Sequence, residues 1–250
     1  IGQLAGISST DWSWAPVFAD FNNDGWKDLY VTNGIRKDIR NIDWGNEFHN
    51  VRRIAGGSLN FTGDQWDRLL SSMPSKKVPN YMYMNEKDLS FKKVTEEWGL
   101  AKPTFSNGIA YADLDRDGDL DLVVNNIDDQ ASVYMNNAEH LLEDHFLRIK
   151  FEGPENNTLA LGTKVRIHHN DHFQYQQHYI TRGYRSSMEP IMHFGLGQDT
   201  LIQRIDIIWP DGKATELRNV KGDQEILVSY SEAKNDLPME KKVVNPYFTD

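Results

Sequence analysis

Cysteine is absent from all 250 residues. Disulfide stapling is thereby excluded, which leaves bound metal as the available brace for a loop-rich fold. The absence does not locate the protein, since bacterial surface proteins often lack disulfides. Basic clusters are scarce too: no run exceeds Lys76-Lys77 or Lys241-Lys242, and the net charge is -10 with a pI near 5.3. Without a basic block to release counterions, nucleic acid and anionic membrane surfaces are excluded as partners. No apolar run is long enough to span a bilayer, so direct membrane insertion of this stretch is not expected. A GxSxG elbow and an HExxH helix are also missing, which removes two common hydrolytic arrangements.

What is present is a repeat. Residues Ala5 to Asn33 align without a gap on Trp98 to Asn126, matching Gly6 with Gly99, Ser13 with Ser106, Ala19-Asp20 with Ala112-Asp113, and Leu29 with Leu122. Each copy contains an acidic loop, with Asp20, Asn22, Asp24, Gly25 and Asp28 in the first and Asp113, Asp115, Asp117, Gly118 and Asp121 in the second. Calcium takes six to eight hard oxygen ligands, and side chains at alternate positions of a tight loop converge to supply them. Loop positions one, three, five and nine are therefore the expected side-chain ligands. The backbone carbonyl of position seven, Trp26 or Asp119, is expected to complete the set, giving two Ca2+ sites. Glycine at position six allows the positive φ of the bend. The alternative is a solvated acidic turn, which needs only two or three such residues. Val31 and Val124 stand where an EF-hand has its Glu, and strands rather than helices flank the loops.

Each copy reads as strand, loop, strand: Trp14–Ala19 then Asp28–Thr32, and Ile109–Ala112 then Asp121–Asn125. A further strand follows each, at Tyr81–Asn85 and Ser132–Asn136. Small repeated sheets that cannot bury their own faces stack radially as propeller blades. The pattern ADFNNDGWKDLYVTNG, with ADLDRDGDLDLVVNN and the closing SFKKVTEEWGL, resembles the FG-GAP or VCBS repeats of integrin-like propellers. An insertion interrupts the first copy between Ile35 and Val78. Ile39, Ile42, Phe48, Val51 and Ile54 approximate one apolar helical face and Trp66, Leu69 and Leu70 another, with Gly56-Gly57 between and Pro74 closing the second. This helical segment could shape a binding surface or cover a hydrophobic edge. Its Asp38, Arg40, Asp43, Glu47 and His49 suit either a site or a solvated face.

From Glu139 onward, short strands punctuated by Gly, Asn and Asp predict a compact antiparallel sandwich or barrel. Leu161–Val165, Arg182–Ser187, His193–Gly197 and Ile207–Gly212 resemble the ASPIC/UnbV domain, which implies company with FG-GAP repeats in secreted and surface proteins, including cartilage acidic protein and bacterial lipoproteins. Read from the residues, Gly195 and Gly197 suit a bend and Pro210-Asp211-Gly212 a hairpin turn. Arg182–Ser187 is a polar cluster that serves either structure or ligand contact. His168-His-Asn-Asp-His172 could attract zinc, although neighbouring side chains on a strand point oppositely.

The expected fold is thus mainly β. Repeats occupy 1–34 and 79–137, the helical insertion 35–78, and the ASPIC/UnbV-like domain 138–230. Residues 231–250 read as a linker and the start of a further repeat. Ile1–Ile7 reads as the closing strand of a blade and Asn245–Asp250 as the opening of another, so the chain is expected to be a fragment of a longer surface or periplasmic chain, such as a bacterial surface lipoprotein. Two blades cannot close a ring, and they are expected to pack on the following domain or on a second molecule. The expected function is calcium-dependent recognition of an extracellular glycan or protein without catalysis. The alternatives are a calcium-dependent polysaccharide lyase or hydrolase, or pure scaffold.

Overall fold

The computed structural model describes residues 2–54, 56–57, 60–170 and 172–234. Ile1, most of the expected linker and the whole of the expected further repeat at 245–250 lie outside the described residues.

The first blade is a four-stranded antiparallel sheet. It is built from β1 (Ser13–Ala19), β2 (Asp28–Asn33) and, beyond the insertion, β4 (Tyr81–Asn85) and β5 (Phe91–Lys93), in the order β1-β2-β4-β5. The second is β7 (Ser106–Ala112), β8 (Asp121–Asn126) and β9 (Ser132–Tyr134), in that order. Short β3 (Val78–Pro79) and β6 (Pro103–Thr104) pair with each other between the blades. The repeat holds at the level of the backbone. The register breaks between Ser13 and Pro16 in one blade and between the equivalent Ser106 and Ile109 in the other.

The blades lie side by side. Thr32 Oγ1 donates to the carbonyl of Asn107, and Ala15, Val17, Tyr30, Met82, Ile109, Leu122 and Val124 form one buried core across both. The region expected as a first closing strand, Ile1–Ile7, is instead a turn over residues 2–6, the counterpart of the turn at 95–99, with Phe91 N–H donating to Ala5. A single strand-length match cannot separate a strand from the tight turn that ends it, because Gly6 and Gly99 mark both.

The insertion holds α1 (Ile42–Ile54) and α2 (Gly63–Ser72). Thr62 and Gln65 form a reciprocal capping box at the start of α2. The predicted apolar face of α1 is largely wrong: Ile42 and Ile54 are 77% and 84% exposed, and Ile39 and Leu70 are exposed too. The helices instead meet along aromatics, with Trp44 on Phe48, Phe48 on Phe61 and Phe61 on Trp66, while Trp44 Nε1 donates to Leu69 O. Aromatic rings bury more area per contact than the isoleucines and so set the facing side. Arg40 pairs with Asp11 and Asp38 and stacks over Trp12, whereas Asp43, Glu47 and His49 are exposed.

After the short α3 (Ala138–Leu141) come β10 (His145–Glu152), β11 (Lys164–His169), β12 (His172–Gln177), β13 (Ile191–Gly197), β14 (Leu201–Ile208), β15 (Ala214–Lys221) and β16 (Gln224–Ser229). They form a sandwich of two sheets, β13-β10-β16 facing β12-β11-β14-β15. Leu147, Ile149, Val165, Ile167, Phe194, Ile202, Ile205, Ile207 and Trp209 fill the space between at 0–1% exposure. Each such side chain contributes about 1.5–3 kcal/mol by leaving water. One pairing departs from the antiparallel expectation: β16 runs parallel to β10. It follows the β14-β15 hairpin in the opposite sheet and crosses over, so it enters the first sheet from the same end as β10.

Candidate functional site

The two acidic loops adopt one conformation. Asn23 and Gly25 have φ of 58° and 87°, and the equivalent Arg116 and Gly118 have 69° and 99°. At position one, Asp20 accepts the N–H groups of Asp24 and Gly25 at 3.1 and 2.8 Å, and Asp113 accepts those of Arg116 and Gly118 at 2.7 and 3.2 Å. At position nine, Asp28 accepts from Phe21 and Asn85, and Asp121 from Leu114 and Asn136. The asparagines return the link: Asn85 donates to Lys27 O and Asn136 to Leu120 O, so each loop is sewn to its blade's third strand. The Met-Asn pair ending both Tyr81–Asn85 and Ser132–Asn136 was the signal for these residues, and only the fold shows what it does.

The loops differ in how their acids converge. In the second, ligand atoms of Asp113, Asp115 and Asp117 lie within 4.8 Å of one another, and a further group joins Asp117, Asp119 and Glu139. Among the described residues the first loop forms no such three-acid group. Its Asn22 donates to Asp24, Trp26 N–H donates to Asp24 Oδ1, and Lys87 lies 3.3 Å from Asp24. The Trp26 side chain is 44% exposed. Asp28 and Asp121 stand apart from these groups, with both carboxylate oxygens on backbone N–H donors. A cluster of hard carboxylate oxygens is a donor set for a cation such as calcium, and Asp113, the exposed Asp115 and Asp117 form one in the second loop, where Asp113 also pairs with Arg148.

Electrostatics set the loops apart from ordinary surface turns. Asp20, Asp28, Asp113, Asp119 and Asp121 are at most 6% exposed. Burial, with repulsion from Asp24 and Asp28, pushes the Asp20 carboxyl well above the usual carboxylate range. Burial raises Asp28 to about 7, and burial with Glu139 raises Asp119 to about 8. Asp117 and Asp121 are raised by the same cause. A carboxyl raised on folding binds its proton more tightly in the native state, so it weakens the fold as pH rises through that value.

The sandwich is docked on these loops. Arg148, on the face of β10 opposite Leu147 and Ile149, is 5% exposed and pairs with Asp113 and with Glu189 at 3.0 Å. Asn23 donates to Gly118 O across the two loops and accepts from His193 Nε2 at 2.6 Å, while Gly197 N–H donates to Asn23 O. Lys27 donates to Gln176. The segment between β12 and β13 lies along the blades: Gly183 faces Ala15, Val17 and Ile109, Trp14 packs on Tyr184, and Ile109 N–H donates to Ser186. The structural reading of Arg182–Ser187 is therefore the one the contacts bear out, and of the two expected packing partners the blades take the following domain. Gly195 serves close approach to Asn23 rather than a bend. Arg148, Glu189 and Glu139 had no signal in the sequence. The two histidines that open the His168–His172 run, the candidate zinc attractor, take separate carboxylate partners, His168 on Asp206 and His169 on Asp199.

Burial, with Arg148 and Lys27 adding repulsion, lowers the His193 imidazole to about 3. Between the ordinary 6.5 and about 3 the unfolded chain binds a proton that the native state does not, so His193 costs stability progressively as pH falls through that window, at up to about 1.4 kcal/mol per pH unit. The loop carboxyls act with the opposite sign. The readout is therefore the difference between wild type and His193→Gln in urea melts at pH 7 and pH 4.5: the gap is expected to shift in favour of the variant at the lower pH, and a constant gap would show that His193 is protonated in place.

The family model described as ASPIC and UnbV matches residues 153–235, and that described as FG-GAP-like repeat matches residues 60–124. The first spans most of the sandwich. The second runs from α2 through β8, taking in the second acidic loop and part of the insertion. No curated protein matches the chain. No helix among the described residues is long and apolar enough to cross a membrane. With two blade-like sheets, none closed into a ring, seated on a sandwich, the chain joins a segment matching the FG-GAP-like repeat to one matching the ASPIC and UnbV domain, a combination that suggests a β-rich extracellular or surface module.

Proposed function

We propose that this chain is a calcium-braced, non-catalytic recognition module of a larger extracellular or surface protein, with a glycan or protein as ligand. The observation that carries this reading is the burial of five loop carboxyls at most 6% exposed, against which the described residues set only Arg148 on Asp113 as an ion-pair partner. Calcium at the loops supplies the missing positive charge. Two ions bring the net charge to about -6. Because the same loops seat the sandwich, the ions brace the domain seam as well as each blade.

The exposed face of β11 and β12 supports recognition. Phe173 and Tyr175 are 64% and 50% exposed, and the Arg166 guanidinium lies 5.5 Å from the Phe173 ring centroid. An exposed patch that mixes rings and a cation is the kind of surface that marks contact with a partner.

With calcium at about a hundred times its dissociation constant, each site adds roughly 2.7 kcal/mol. The melting temperature is accordingly expected to fall in EGTA, and Asp24→Ala and Asp115→Ala are each expected to remove part of the calcium-dependent rise; a melt indifferent to EGTA would remove calcium from the account. Retention on a panel of immobilised polysaccharides and matrix proteins, in calcium and not in EGTA, tests recognition. Oligosaccharide products in the eluates would replace it with the polysaccharide-active reading.

A further inference from the structure

The geometry points to a second cation position beside the loop of the second blade, held by the side chains of Asp117, Asp119 and Glu139 and taking a hard divalent ion. It rests on the reading of the acidic loops as cation sites but lies outside the pattern that suggested them. That pattern uses position seven through its backbone carbonyl, and it contains no residue of α3.

Three observations converge. Ligand atoms of Asp117, Asp119 and Glu139 lie within 4.8 Å of one another. Asp119 is 0% exposed, and while its Oδ2 accepts the N–H of Ala138 at 2.8 Å, its Oδ1 has no hydrogen-bond partner. Glu139 Oε2 is likewise buried without a partner, its other oxygen lying 3.0 Å from the exposed His140. A buried acceptor left unmade costs about 1–3 kcal/mol, and more when charged, so an orphan carboxylate oxygen on each of two clustered acids calls for a proton or a cation. Asp117 belongs to both acid groups of this loop, which makes it the bridging carboxylate of a paired site. Among the described residues the first blade has no counterpart, because Trp26, which offers no carboxylate, stands where Asp119 does.

A shared proton and a cation give opposite results on Glu139→Gln. The amide can donate to Asp119 in place of a shared proton, but it removes a charged ligand from a cation. The full chain, wild type and Glu139→Gln, is dialysed to equilibrium against saturating Ca2+ or Mg2+ and the bound ion counted by atomic emission, with Asp115→Asn marking the neighbouring position. Glu139→Gln is expected to bind one ion fewer per chain than wild type while melting no lower than wild type in EGTA. An unchanged ion count in Glu139→Gln, with Asp115→Asn still losing an ion, would overturn the second position and leave the loop reading standing. Wild type that binds no ion would overturn both. Loss in Ca2+ but not in Mg2+ assigns the position to the larger ion, whose coordination tolerates irregular ligand sets.

Discussion

Arg148→Ala is expected to destabilise the protein by about 3–5 kcal/mol, the cost of breaking a buried ion pair from one side. The Asp113 side chain is 1% exposed and the Arg148 side chain 6%. Removing the guanidinium leaves Asp113 charged and desolvated, and Glu189, whose carboxyl burial already raises, loses its fork. Glu225 at 3.6 Å is 42% exposed and recovers water. The loss should be larger in EGTA than in calcium, because a cation on the loop partly replaces the arginine as partner of Asp113. Urea unfolding of the full chain measures it. Lys92→Ala, which removes the exposed pair with Glu97, sets the comparison at under about 1 kcal/mol. If Arg148→Ala cost no more than Lys92→Ala, the ion pair would not be what clamps the sandwich to the loops.

Gly195→Ala is expected to have an effect of similar or greater size, above about 4 kcal/mol, by a different route. A methyl group there would stand 2.6 Å from both the Cα and the carbonyl carbon of Asn23. Those are backbone atoms of a loop held by Asp20 and by Gly197, so no rotamer change relieves the overlap. The sandwich can relieve it only by lifting off the first loop. Its own core, on the far side of β13 around Phe194 and Ile149, is untouched. The calorimetric trace is therefore expected to separate into two transitions, a sandwich near its original temperature and blades melting lower. A single transition at the wild-type temperature would show that the seam yields without cost and would overturn the idea that the two domains are rigidly joined.

The local elements were legible along the chain because their signals are local. Alternation and turn residues placed β4 at Tyr81–Asn85 on its observed bounds and the other strands flanking the two acidic loops, β1, β2, β7, β8 and β9, within about three residues, whereas the short β3 and β6 carried no such signal. The gapless match of the two loops carried even the positive φ of Asn23 to Arg116, since that geometry is dictated by glycine at position six and by side chains bonding their own loop. Where the sequence misled, the missing term was a partner. Ile42 and Ile54 gave α1 an apolar face with nothing opposite it, while the aromatic seam depended on α2 and Phe61.

The sequence by itself determined the mainly β architecture, the two repeats with their acidic loops, the helical insertion and the sandwich that follows, because each is written in spacings shorter than one blade. Only the tertiary structure decided that the sandwich sits on the loops. Arg148 lies between core residues of β10 yet faces the other way, so on the isolated strand it reads as a solvated cation, and burial against Asp113 makes it a clamp. Asp119 and Glu139 are likewise two unremarkable acids until the fold clusters them and leaves one buried oxygen of each without a donor. Charge and shape complementarity between distant segments has no periodicity, and it becomes visible only when the chain brings them together.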